Sequence, residues 1–351
     1  MTSTRIRHGL LATAAIAATL AATVPSLATA SSGSLTKHTL AATPAYPSRN
    51  YYQYVPTSLP PSGQRTLVVY LHGCGQTAAD AAAGTRWDEL ADAKGFVVVF
   101  PDQKVPGVGD DPSDGSAAGC WNTGAAEKDP RGTGELGSIA QITYDVAQEM
   151  GADPGRIFLA GVSGGAMMAA SMAAVYPDLY SAIGHVANCG YLCDPTGYAA
   201  YRHMGNLARV IPVMDIQGSL DEVATMGMEE QSVYEYLGTD DWADDGVSNG
   251  SISRIPASIE NRNLDAINPQ VPGDLCLRDF PRSPCPGVVL GGYPVTVRTY
   301  TAGAGEVVLE AWTIHGIMHN YSGGSMPANF TDPYGPNITA AIYAFFEAHA
   351  R

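Results

Sequence analysis

Positive charge is scarce in this chain. Its 19 Lys and Arg face 34 Asp and Glu, for a formal net charge of −15 at pH 7. Such a surface repels phosphate backbones, so nucleic acid is excluded as an expected partner. Long apolar runs are scarce too. The stretch Gly9–Val24 is short for a spanning helix and is broken by Pro25. Arg5, Arg7 and His8 precede it, and Ala28-Thr29-Ala30 follows it as an A-x-A cleavage site. That is the layout of a signal peptide over residues 1–30. The expectation is a secreted, extracellular protein with no membrane association after cleavage. Losing Arg5 and Arg7 makes the net charge −17 (−15 − 2). The chain shows no internal repeat and no linker to a second folded domain.

Six cysteines are present, at 74, 120, 189, 193, 276 and 285. An even number in an oxidising compartment makes disulfides the default. Fifteen pairings are possible, and the expected set is Cys74–Cys120, Cys189–Cys193 and Cys276–Cys285. His185, Cys189 and Cys193 recur at fours, but Gly184, Gly190 and Pro195 argue against one helix carrying them to a zinc ion. No metal and no cofactor is expected.

The Ser-, Thr-, Ala- and Pro-rich residues 31–48 suggest a flexible leader. Order is expected from Arg49 onward, in one domain over 49–351. Short apolar runs at 66–71, 96–100, 156–160 and 210–216 alternate with helical stretches at 87–94, 138–150 and 165–175. Strands apolar on both faces, alternating with helices, imply an α/β fold with a mostly parallel sheet covered on both sides. Strands at 295–300 and 307–314 and a helix at 337–349 close the chain. Between them, residues 225–290 break the rhythm with many acids, prolines and glycines. Their charges are read as a solvated insertion. The alternative is a cap over the site, with Tyr236 or Trp242 touching substrate.

Gly161-Val162-Ser163-Gly164-Gly165 matches G-x-S-x-G, and so does Gly246-Val247-Ser248-Asn249-Gly250. Only the first follows a strand and opens a helix, as a nucleophile elbow requires, so the second is a chance match. A serine hydroxyl needs a base, and the base an orienting carboxylate, in the chain order Ser, Asp or Glu, His. Asp221 lies in the loop after the 210–216 strand; Asp215 and Glu222 are weaker options. Of the histidines beyond it, His319 lies in a loop after the last strand, whereas His315 abuts that strand and His349 sits in the terminal helix. An oxyanion hole takes one backbone N–H from Gly164. The second comes from Cys74, in His72-Gly73-Cys74-Gly75-Gln76 after the first core strand.

These residues together resemble the secreted esterase family of polyhydroxybutyrate depolymerases, feruloyl esterases and acetylxylan esterases. The matching segments are residues 49–56, 71–76, Cys120-Trp121-Asn122, 161–165, 316–319 and 332–337. The resemblance implies an α/β-hydrolase fold, a Cys74–Cys120 bridge and Trp121 beside the pocket as a substrate-binding residue. It implies a monomeric serine carboxylic ester hydrolase working through an acyl-enzyme on polyhydroxyalkanoate-type polyester or its oligomers. Feruloyl or acetylxylan esters of plant-wall polysaccharide are the alternative, and a non-catalytic binding protein on the same scaffold is the remote one. The chain departs from the family at Gln217, where His is usual, and at Tyr321-Ser322, where Trp-Pro is usual.

Overall fold

A computed structural model describes residues 32–104, 119–124, 130–264, 293–303, 305–325 and 328–351. The strands are β1 (Ser34–Leu40), β2 (Arg49–Val55), β3 (Arg65–Leu71), β4 (Val97–Pro101), β5 (Ala152–Val162), β6 (Ile183–Val186), β7 (Val213–Gly218), β8 (Ser258–Leu264), β9 (Tyr293–Thr301) and β10 (Val307–Ile314). The helices are α1 (Ala78–Gly84), α2 (Trp87–Lys94), α3 (Gly134–Met150), α4 (Gly164–Val175), α5 (Tyr198–Met204), α6 (Met226–Ala243) and α7 (Ile338–Ala348). One sheet runs β1-β2-β4-β3-β5-β6-β7-β10-β9-β8. Its six central strands, β4 to β10 in that order, are parallel; the two strands at each edge are antiparallel.

The central strands read as continuous apolar runs because both of their faces are covered. Successive side chains alternate across a strand. Leu67, Val69, Val99, Ile157 and Leu159 therefore pack with α3, α4 and α6 residues such as Ile139, Met168 and Leu237. Val68, Tyr70, Val98, Phe100 and Phe158 face the other way, onto Ala81, Trp87, Ile342 and Phe346 of α1, α2 and α7. Phe346 stacks on Phe158 with centroids 4.7 Å apart. This is the parallel, doubly covered sheet that the alternation predicted, and the α/β-hydrolase fold that the resemblance implied.

Two expectations are corrected. Residues 31–48 are not all leader, because β1 pairs along its whole length with β2, from Ser34↔Val55 to Leu40↔Arg49. Its polar, mostly exposed Leu-Thr-Lys-His-Thr-Leu run suits an edge strand, and it pairs backbone groups that β2 would otherwise leave open. The 225–290 segment is likewise not a solvated insertion at its start. α6 turns Glu229, Ser232, Val233, Tyr236, Leu237 and Asp240 inward at i, i+3, i+4 spacing, and Glu235 beside them is buried as well, so the acids at 229, 235 and 240 all lie inside. Each has a partner. Glu229 pairs with Arg298 at 3.0 Å, Glu235 accepts from the Thr239 hydroxyl, and Asp240 accepts from the Ile211 N–H. β8 then extends the sheet beside β9. Of the two residues considered for a cap, Tyr236 is buried with its hydroxyl on His185 Nε2, and Trp242 stacks on Tyr201. The signal peptide and the Cys276–Cys285 pair lie outside the described residues. No described helix is long and apolar enough to cross a membrane.

These buried acids set a pH dependence. Burial, then the nearby Glu229 charge, pushes Asp215 from 3.8 up to about 8. Burial pushes Glu235 from 4.5 up to about 8 and raises Asp240 well above the carboxylate range. The folded chain thus keeps protons that the unfolded chain releases near 4, and stability falls as pH rises from about 4 to about 8. The thermal unfolding midpoint is expected to drop between about pH 5 and pH 8.5, and Asp215→Asn to flatten that slope. A midpoint that climbs over this range would contradict the assignment.

Candidate active site

The site forms where the parallel strands end. Ser163 follows β5 and caps α4 at φ 54°, ψ −123°, a conformation costing about 1–3 kcal/mol for a residue with a Cβ. Neighbouring packing holds it there. The Ser163 N–H donates to the Val186 carbonyl at 2.8 Å, and α4 is buried along almost its whole length. Gly165 lies against the end of β3 so closely that a Cβ there would sit 2.2 Å from the Leu71 carbonyl oxygen and 2.4 Å from that of His72. Only glycine allows the nucleophile turn and the 72–76 loop to share this space.

The base and the acid arrive from parallel neighbours. β7 and β10 pair in register up to Gly218↔Ile314, and the loops beyond them are tied together. Leu220 N–H donates to the Ile317 carbonyl at 2.9 Å, and Ser219 N–H to the Ile314 carbonyl at 3.0 Å. This brings His319 between its two expected partners. Its Nδ1 lies 2.7 Å from Asp221 Oδ2 and its Nε2 lies 3.0 Å from Ser163 Oγ. The other Asp221 oxygen accepts the Val223 and Ala224 N–H groups at 2.8 Å each. With three N–H donors converging on it, the buried carboxylate holds Nδ1–H on the imidazole and leaves Nε2 free to take the serine proton.

The weaker options lie elsewhere. Asp215 sits inside β7 and accepts from Asn188 Nδ2 at 3.1 Å; Glu222 is exposed. His315 Nε2 meets the Thr296 hydroxyl, and His349 bonds the Phe345 and Val307 carbonyls. Ser248 donates to Asp241 in the loop after α6, so the second G-x-S-x-G is no elbow.

The oxyanion candidates adjoin the serine. A Cβ on Gly164 would lie 3.6 Å from Cys74 N and 2.6 Å from Cys74 Sγ. The N–H of Gly164 opens α4 and has no partner within the helix. Gly73 is not a competing donor, because its N–H is taken by Gln76 Oε1 at 2.8 Å. Gln76 in turn donates to the Asn329 carbonyl at 2.9 Å. This clamp went unassigned in the sequence, where Gln76 stood only as the last residue of a glycine-rich loop. The Cys74–Cys120 bridge is formed, and so is Cys189–Cys193. The latter consumes both thiols of the His185 spacing considered for zinc. Among the described residues, no group of three or more His, Cys, Asp or Glu could hold a metal ion.

Trp121, expected beside the pocket, is held from the inside of the fold. It is 3% exposed, and its indole N–H donates to the His72 carbonyl at 2.8 Å. That bond ties it to the 72–76 loop.

The family model described as esterase PHB depolymerase matches residues 50–242. The chain is 33% identical over 153 residues to poly(3-hydroxyalkanoate) depolymerase C of Paucimonas lemoignei, a match covering 44% of this chain and 34% of that protein. It is 31% identical over 144 residues to feruloyl esterase B of Neurospora crassa, covering 40% of this chain and 44% of that one. With acetylxylan esterase A of Aspergillus oryzae it shares 33% identity over 132 residues, 37% and 39% of the two chains. The matched stretch is thus less than half the length of each of these relatives. Among solved structures, an acetyl xylan esterase from Aspergillus awamori superposes with a TM-score of 0.58 at 22% identity, over 90% of this chain and all of that one, a likeness of fold.

Two outcomes are expected from this geometry. Asp221→Asn should keep the fold and lose on the order of 10⁴-fold in turnover of any substrate attacked by Ser163, by favouring the wrong tautomer of His319. Reduction of Cys74–Cys120, which closes a 46-residue separation, should remove about 4 kcal/mol of stability on the chain-entropy model. It should also lower activity, read by thermal melts and assays with and without reductant; unchanged values with free thiols would show that the bridge does not brace the loop.

Proposed function

The chain belongs to the esterase PHB depolymerase family, and on that premise we propose that it is a secreted serine carboxylic ester hydrolase acting through an acyl-enzyme. The observation that carries this reading is the relay of Ser163 Oγ, His319 Nε2 at 3.0 Å and Asp221 at 2.7 Å from His319 Nδ1. Ser163 attacks the ester carbonyl while His319 takes its proton. The carbonyl oxygen becomes an oxyanion held by the Cys74 and Gly164 N–H groups, a term worth about 3 kcal/mol per donor. His319 then protonates the leaving alcohol, which departs. Water, deprotonated by His319, attacks the acyl-enzyme, and collapse of the second tetrahedral intermediate returns the proton to Ser163. Asp221 stabilises the imidazolium at both stages.

The proposed substrate is a polyhydroxyalkanoate-type polyester or its soluble oligomers, by similarity to the Paucimonas lemoignei depolymerase. Acetyl or feruloyl esters on plant-wall polysaccharide form the second reading, favoured by the similarity to acetylxylan esterase A of Aspergillus oryzae and feruloyl esterase B of Neurospora crassa. Two disulfides among the described residues fit an oxidising, extracellular setting.

Purified protein is expected to hydrolyse p-nitrophenyl butyrate, with Ser163→Ala losing at least about a thousandfold in kcat. His319→Ala should be equally impaired, while His315→Ala stays near wild type. Full activity in Ser163→Ala would end the proposal. A panel of hydroxybutyrate oligomers, methyl ferulate and acetylated xylan then separates the substrates, and the highest kcat/KM on acetylated xylan would replace the polyester reading with the second.

A further inference from the structure

Arg49 is the most deeply buried cation of the described chain, at 1% exposure, and it plays no part in the ester chemistry above. Its guanidinium joins segments far apart in sequence. Nε donates to Ser138 Oγ at 2.7 Å, and Nη1 to the Asp102 and Gln103 carbonyls at 2.5 and 3.0 Å. Nη2 pairs with Glu135 Oε1 at 3.0 Å. The guanidinium carbon also lies 5.3 Å from the centre of the Trp121 ring.

From three of these contacts, Gln103, Glu135 and Trp121, a short path leads to the same loop. Gln103, held through its carbonyl, donates its N–H to His72 Nε2 at 3.0 Å. Because Nε2 accepts there, His72 Nδ1 carries the proton and donates to the Gly73 carbonyl at 2.8 Å. Glu135, held through Oε1, accepts the Asn122 N–H on Oε2 at 2.7 Å. The residue before Asn122 is Trp121, whose indole N–H holds the His72 carbonyl. The residue before that is Cys120, bridged to Cys74. The side chain of His72, its carbonyl and the Cys74 sulfur are therefore each fixed by a segment that Arg49 or its partner Glu135 holds.

We propose that Arg49, with Glu135, is the positioning residue of the oxyanion loop, setting where the Cys74 N–H points when the ester carbonyl becomes tetrahedral. The inference rests on the assignment of Ser163 as nucleophile and deepens it. An isolated buried cation is costly, and an apolar residue would often serve packing as well. A planar fork with five donors can hold two loops and a helix at fixed relative angles, as an apolar residue or a lysine cannot. An oxyanion hole tolerates displacements of only about half an ångström. Loosening the clasp therefore weakens transition-state binding and spares ground-state binding.

The test uses the full chain carrying Arg49→Lys or Glu135→Gln, with Arg156→Lys, remote from the site, as control. Three quantities are measured: kcat/KM on p-nitrophenyl butyrate, the inhibition constant of an alkyl trifluoromethyl ketone, and that of p-nitrophenyl butyl ether. The ketone adds to the serine and places an oxyanion in the hole; the ether fills the same site and has no carbonyl. For Arg49→Lys, kcat/KM is expected to fall about ten- to a hundredfold and the ketone to bind weaker by the same factor, with the ether unchanged. Glu135→Gln should show the same pattern at a smaller factor, and Arg156→Lys no change. Wild-type kcat/KM, lost activity with unchanged ketone affinity, or ether binding weakened as much as ketone binding would each overturn the proposal. Should Arg49→Lys fail to fold, Glu135→Gln carries the same measurement. Active Ser163→Ala removes the nucleophile assignment itself, whereas inactive Ser163→Ala with an unchanged ketone constant in the two variants removes the Arg49 inference alone.

Discussion

The site depends on one close approach, the first turn of α4 against the end of β3. With no Cβ on Gly165, the carbonyls of Leu71 and His72 reach the α4 backbone. That contact lets Ser163 adopt its positive φ and keeps the next loop, carrying Cys74, beside Gly164. The proposed nucleophile and the proposed oxyanion donors therefore share one steric cause. The strain at Ser163 is offset by the ladder bond to Val186 and by the burial of α4 between β5 and its neighbouring helices.

Much of this was legible in the sequence wherever a local pattern decides the outcome. β3, β4 and β5 announce themselves as apolar on both faces, α2 and β10 were read with their observed ends, and the strand–Gly-x-Ser-x-Gly–helix order marked the elbow. Chain order singled out Asp221 and His319, and both lie in loops beyond parallel strands that end at the same level. Illegible features were those decided by remote partners. β6 is only four residues long and shows no period. β1 was hidden by a composition typical of leaders. The inward acids of α6 look like surface until Arg298, Thr239 and the Ile211 N–H are brought to them by the fold. Arg49 carried the same ambiguity, since a single arginine at the start of a strand gives no sign that two loops and a helix will close around it.

The acidic composition therefore divides into two populations with opposite pH behaviour. Asp102, Asp178, Asp194 and Asp241 are partly buried, yet hydrogen bonds or neighbouring positive charge leave each below the usual carboxylate range. They favour the folded state above that range and lose this on acidification. Asp215, Glu229, Glu235 and Asp240 are raised, with burial the largest cause, and favour it at lower pH. A net charge of −15 says nothing about this division, because it depends on which carboxylates face the layer between α6 and the sheet.

The long interval between acid and base, 98 residues from Asp221 to His319, follows from the same sheet logic. What sets their distance is that β7 and β10 are adjacent and parallel, so the loops beyond them leave side by side. Chain inserted between these strands can lie anywhere off their active-site ends without moving either residue. Here α6 covers one face of the sheet, and β8 and β9 extend its far edge as an antiparallel pair. These elements add area to the sheet and its edge and leave the register Gly218↔Ile314 untouched. Separation along the chain is then a poor guide to whether a triad can close. Adjacency in the sheet is the better guide, and the loop bonds from Leu220 to Ile317 and from Ser219 to Ile314 are its local expression.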